Sequence, residues 1–171
     1  MKGMTVYQFL DNLVMQPVRV IGRASNMLWI GFGEKVKLLD DKGKEKEVST
    51  YALHIQCRWR IVNKERREIL LAASDFYSPK EDIDDYSNFD WELQGNNLFD
   101  EKSLEWLIRE SPIYVKEYEI NMWGDLFLIF TNNDRLEVFI TSTGDTEGWR
   151  IFECGKEKPH MVARGLGVSF E

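Results

Sequence analysis

Apolar positions along this chain fall first at helical spacing and then at strand spacing. Residues 5–14 place Val6, Phe9, Leu10, Leu13 and Val14 on one stripe, and Thr5 with Gln8 has the form of a capping box. An amphipathic first helix is predicted, stopped by Pro17. Residues 18–24 and 26–32 are β-branched and aromatic runs punctuated by Gly22, Gly31 and Gly33, which reads as a pair of strands. Residues 35–51 form a hairpin pattern around Asp40, Asp41, Lys42 and Gly43, a turn whose glycine supplies positive φ. The most regular stretch is 53–61, where Leu53, Ile55, Cys57, Trp59 and Ile61 alternate with His54, Gln56, Arg58 and Arg60. That period of two predicts one strand with an apolar face and a polar face, followed by a partner strand at 68–73.

A second helix is expected near residues 100–111, with Asp100 as N-cap, Phe99 and Leu104 as a hydrophobic staple, and Leu104, Leu107 and Ile108 facing inward beside Trp106. Strands then follow at 113–122, 126–131, 135–140, 148–153 and 160–164, which implies a closing meander. Residues 126–130 are apolar on both faces and read as a central strand covered on each side. These elements together predict one α+β domain over residues 1–171: a mainly antiparallel, curved sheet with two helices, either open or barrel-like.

Composition narrows the class. A chain of 171 residues that is 43% hydrophobic and 30% charged can bury a full core. No run approaches the apolar length that spans a bilayer, and residues 1–11 lack the basic and apolar regions of a secretory signal, so a cytoplasmic location is expected. The two cysteines, Cys57 and Cys154, are far apart and fit a reducing compartment. The net charge of −7 opposes general attraction to nucleic acid or anionic lipid and favours a basic partner.

That charge is concentrated. Residues 75–101 carry nine carboxylates against the single Lys80, with Phe76, Tyr77, Tyr86, Phe89, Trp91 and Phe99 interleaved. Aromatic rings supply anchor area and carboxylates steer a cationic partner, so Asp82, Asp84, Asp85, Tyr86, Phe89, Asp90, Trp91 and Glu92 are the first candidate binding residues. A plain alternative is an ordered connection whose rings cap the core while its acids face water. The stretch is not a calcium loop of the EF-hand type, because Ser87 stands where glycine is needed and Leu93 where the bidentate glutamate belongs.

The polar strand face offers a second candidate. His54, Gln56, Arg58 and Arg60, joined by Trp149 and Arg150 if the two strands are neighbours, could hold a carboxylate or phosphate against paired guanidinium forks. Cross-strand carboxylate partners for those arginines are the simpler expectation. His54, Cys57, Cys154 and His160 lack zinc spacing, since residues 54 and 57 point to opposite faces of a strand. No phosphate-cradling glycine loop and no serine elbow is present, so neither a metal nor a cofactor is expected.

The segment from Tyr51 to Val62, which contains ALHIQCRWRIV, together with residues 74–77, LEVF at 136–139 and EGWRIF at 147–152, resembles a family of small bacterial cytoplasmic proteins with no established activity. The resemblance implies a bacterial cytoplasmic protein and transfers no residue roles. Charge and class also suggest an analogy to small acidic proteins that protect cells against toxins. The expectation is therefore a non-enzymatic binding protein, immunity-like, that engages a basic protein through residues 75–101. The competing expectation is a small-molecule binder or hydrolase-like enzyme with an anionic ligand over His54, Arg58 and Arg60. An exposed edge strand would also permit a homodimer.

Overall fold

A computed structural model describes residues 4–171. Helix α1 (Val6–Asp11) opens on the capping box: Gln8 N–H donates to Thr5 Oγ1 at 3.2 Å, and Thr5 N–H donates to Gln8 Oε1 at 2.9 Å. It is shorter than the predicted stripe, because residues 12–15 form turns and Met15 takes a positive φ of 64°. Phe9, Leu10 and Leu13 nevertheless all reach the core.

Strands β1 (Val18–Ala24) and β2 (Met27–Leu39) form the first pair, and β2 continues through the turn at Gly43 into β3 (Glu45–Ile55). The predicted single strand over 53–61 is broken. Gln56 and Cys57 interrupt it, and β4 (Arg58–Asn63) belongs to another sheet. β5 (Glu68–Ala72) pairs with β4 as expected. A 3-10 turn at Ala73–Tyr77 leads into an irregular stretch that ends at α2 (Leu98–Glu110).

The remaining strands are β6 (Val115–Ile120), β7 (Leu126–Phe130), β8 (Asp134–Phe139), β9 (Glu147–Glu153), β10 (Met161–Arg164) and β11 (Gly167–Phe170). They do not close one meander. β6, β7 and β8 join a five-stranded sheet of order β5-β4-β8-β7-β6, whereas β9, β10 and β11 complete a six-stranded sheet of order β1-β2-β3-β9-β10-β11. All pairings are antiparallel and both sheets are open, not barrel-like. Their inner faces share one core, to which one sheet contributes Ile30, Leu53 and Trp149 and the other Trp59, Leu128 and Val138. The sheets also touch through backbone at one corner, where Pro17 bridges Tyr114.

β7 lies between two strands, but only Leu126, Leu128 and Phe130 are buried. Its outer face is covered by a side chain and not by a helix: the Arg135 guanidinium sits 4.4 Å from the Phe127 ring centre.

Helix α2 also corrects the sequence reading. Its N-cap is Asn97, whose side chain accepts from the Asp100 N–H at 3.0 Å, so Asp100 lies one turn inside the helix. Its buried face is Phe99, Ser103 and Trp106, while Leu104 and Ile108 are 58% and 68% exposed. The rotation follows from a buried acceptor. Asp134, with no exposed surface, accepts from Trp106 Nε1 and Asn63 Nδ2 at 2.7 Å each and from Asn132 Nδ2 at 2.9 Å. A buried carboxylate needs such partners, and only this orientation of α2 supplies the indole donor.

Candidate functional site

Residues 78–96 contain no helix or strand. Irregular segments of this length are uncommon in compact domains and are usually functional or disordered. This one is tied down by specific bonds. Arg23 of β1 donates to both carboxylate oxygens of Asp100, at 2.7 and 2.9 Å, and its other N–H groups reach the carbonyls of Ser25, Glu92 and Leu93. The two side chains are 2% and 4% exposed. Asn97 and Asn96 donate to the carbonyls of Trp91 and Asp90, and Gly95 N–H donates to Asp100.

Burial pushes the Asp100 carboxyl up, but the Arg23 hydrogen bonds and the Gly95 N–H outweigh it and hold the group below its ordinary value. It is therefore ionised against a charged guanidinium, and the pair ties the C-terminal end of the loop to β1, while the Leu98 N–H, donating to the Ser78 carbonyl at 2.8 Å, closes its start onto α2. Asp100 is thus an anchor of the acidic stretch and not part of its outward charge.

The aromatic residues divide. Phe76 and Phe99 enter the core and pack at 4.7 Å against each other and at 5.6 and 5.8 Å against Trp59. Tyr77 and Trp91 form an edge-to-face pair at 4.8 Å on the outside, and Tyr86 and Phe89 form another at 6.3 Å. Glu81, Asp82, Asp84, Asp85, Asp90 and Glu92 are all exposed between these pairs. Asp85 and Asp90 each accept a backbone N–H two residues on, which fixes tight local turns. The Ser87 hydrogen bonds hold the Asp85 carboxyl below its ordinary value. Six carboxylates and four rings are thus presented together on a segment held by its ends.

The polar strand face is separated by the sheet switch at Gln56. His54 stands on the six-stranded sheet, cross-strand from Arg150, and Gln56 donates to Glu147 at 3.3 Å. Arg58 and Arg60 stand on the five-stranded sheet, where Arg60 bonds Glu137 at 2.5 Å. Trp149 is fully buried and donates its indole N–H to the Gly124 carbonyl at 2.8 Å. The six residues therefore do not line one pocket. Arg150 is itself bonded by Glu147 through both carboxylate oxygens and lies 3.2 Å from His160 Nδ1. His160 stacks on Phe152, with ring centres 4.5 Å apart. Burial first, then the Arg150 charge, lowers the pKa of both His54 and His160.

Neither thiol is poised for nucleophilic chemistry. Burial pushes Cys57 up to about 12 and raises Cys154 as well, which keeps both protonated at neutral pH. Among the described residues no group of three or more His, Cys, Asp or Glu side chains is arranged to hold a metal ion, and no helix is long and apolar enough to cross a membrane. The residue that sequence reasoning missed is Arg23, whose partner lies 77 positions away. Its only local signal is a cation at an inward position of an apolar strand. Compared with protein-family models, curated proteins and solved structures, the chain matches none.

Proposed function

We propose that this protein is a non-enzymatic binding protein of the bacterial cytoplasm that engages a basic protein surface, in the manner of an immunity protein, through the acidic aromatic segment 75–101, by its exposed part at residues 77–92. The observation that supports this reading is the pairing of Tyr77 with Trp91 and of Tyr86 with Phe89 outside the core, among six exposed carboxylates. Rings held in pairs offer contact area with little further ordering to be done on binding. The carboxylates Asp82, Asp84, Asp85, Asp90, Glu81 and Glu92 give long-range attraction and orientation. The Arg23–Asp100 pair supports the role by pre-ordering the loop, so that less entropy is lost when a partner docks.

The test is capture from a bacterial lysate with the wild type and with a variant carrying Asp82, Asp84, Asp85 and Asp90 changed to Asn. A specific basic protein should be held by the wild type, released as salt rises past the point where the screening length falls below about 10 Å, and lost in the variant. Identical capture lists from the two proteins refute the proposal.

A further inference from the structure

The outer face of the six-stranded sheet departs from the rule for a sheet with one face on a core, which ordinarily carries polar side chains on the other face. Beside its polar residues it carries Trp29, Gly31, Ala52 and Phe152, with Gly31 cross-strand from Ala52 and Ala52 from Phe152. Strands β2 and β3 also outrun their neighbours. β1 pairs with β2 only as far as Phe32, and β9 pairs with β3 only from Tyr51, whereas the β2–β3 pairing continues to Leu39 and Glu45. This free arm begins at a register shift containing Gly33, at φ 85°, and leans back onto the sheet. A Cβ added to Gly155 would lie only 2.3 Å from Leu38 Cδ2, so the arm rests on the turn that follows β9.

Sheet and arm together bound a groove of about 730 Å³ that no residue of either helix lines. The volume falls within the range of about 300–1,000 Å³ usual for small-molecule sites. Ala52 keeps the floor low, Ser49 and Val20 close over Gly31 beside it, and Trp29, Phe152 and Leu38 stand around it. The Trp29 ring is held flat, because an added Cβ on Gly22 would lie 2.5 Å from its Cζ2 atom. The charged residues lining the groove are Arg19, Lys35, Lys46 and Glu47, an excess of cations on a chain of net charge −7. Glu34 holds Arg19 at 2.6 Å and Glu47 holds Lys35 at 3.2 Å, while Lys46 forms no ion pair among the described residues.

We propose that this groove binds an amphiphilic monoanion, an apolar body ending in one carboxylate. The body lies on Trp29, Ala52 and Phe152, and the carboxylate meets the ammonium of Lys46. One uncommitted cation beside an apolar floor matches one charge on an apolar ligand, and a small polar dianion would leave the floor wet. The groove shares no residue with the acidic segment, so each proposal can fail without the other.

The test is calorimetric titration with decanoate below its micellar concentration, with decanol and with inorganic phosphate. Decanoate should bind, decanol at least tenfold more weakly, and phosphate not at all. Lys46→Glu, on the exposed arm, should weaken decanoate at least tenfold and leave decanol unchanged. Ala52→Phe should abolish both by filling the floor, with circular dichroism confirming the fold; if it does not fold, Lys46→Glu alone decides. Absence of decanoate binding, equal affinity for decanoate and decanol, or decanoate affinity unaffected by Lys46→Glu overturns the proposal.

Discussion

Replacing Arg23 by leucine tests the physical link between the core and the exposed acidic loop. The guanidinium makes two charge-assisted hydrogen bonds to Asp100 and reaches three backbone carbonyls, while only 2% of its side chain is exposed. Without it, the Asp100 carboxylate, 4% exposed, keeps the Gly95 N–H and Gln94 but loses its counter-charge. Breaking one partner of a buried pair costs about 3–5 kcal/mol, at least about a fifth of the about 5–15 kcal/mol that holds a typical domain folded. At about 2–4 °C per kcal/mol for a chain of this size, Tm should fall by roughly 6–20 °C. Replacing both members by leucine should cost much less than the Arg23 substitution alone, because no stranded charge remains.

The pair also fixes a pH dependence. Asp100 titrates lower in the folded than in the unfolded chain, so its contribution is complete above the unfolded value of about 3.9 and is lost as pH falls through the folded value. Chemical denaturation of the single and double variants at neutral and acidic pH checks each point. A loss below about 1 kcal/mol for Arg23→Leu, the range of an exposed pair, would refute the reasoning.

Three further outcomes follow from the same contacts. Trp106→Phe removes one of three donors to Asp134 and should lower unfolding free energy by about 1–3 kcal/mol in denaturant titration. Leu104→Gln with Ile108→Gln should change stability by no more than about 0.5 kcal/mol each, because both side chains face solvent; a loss typical of core positions would show that α2 is rotated. His54 and His160 titrate lower when folded, so the unfolded chain binds protons more readily and their contribution, complete above about pH 6.5, is lost as pH falls. The denaturation midpoint should decline between pH 8 and pH 5.5, and His54→Gln should flatten that decline.

Most strands were legible from alternation alone, and most of the places where the reading failed were decided by contacts distant in sequence. The period of two runs unbroken from Leu53 to Ile61 because both sheets turn their apolar faces to the same core. A strand that passes from one sheet to the other keeps its inward side, so alternation cannot reveal the change at Gln56. The same ambiguity hid the departure of β9 from the meander. In α2, apolar residues occur on two faces, and the choice is made by Asp134 bonding Trp106 across 28 positions. Asn97 and Asp100 are both good caps three residues apart, and the distant Arg23 decides between them. β11 escaped notice because a four-residue strand that follows Gly165 and itself begins at Gly167 has too little pattern to read. The acidic segment was visible at once, but which of its rings would enter the core was not, since Phe76 and Phe99 differ from Phe89 only in what lies opposite them.

The central functional claim is that residues 77–92 face a basic protein. A photo-crosslinking amino acid at position 86, compared with one at the exposed Tyr7 on α1, tests it inside a living bacterium. The account predicts an adduct with a basic protein from position 86 only, abolished when Asp82, Asp84, Asp85 and Asp90 are changed to Asn. Adducts that are the same from both positions, or that persist after the four substitutions, would contradict it.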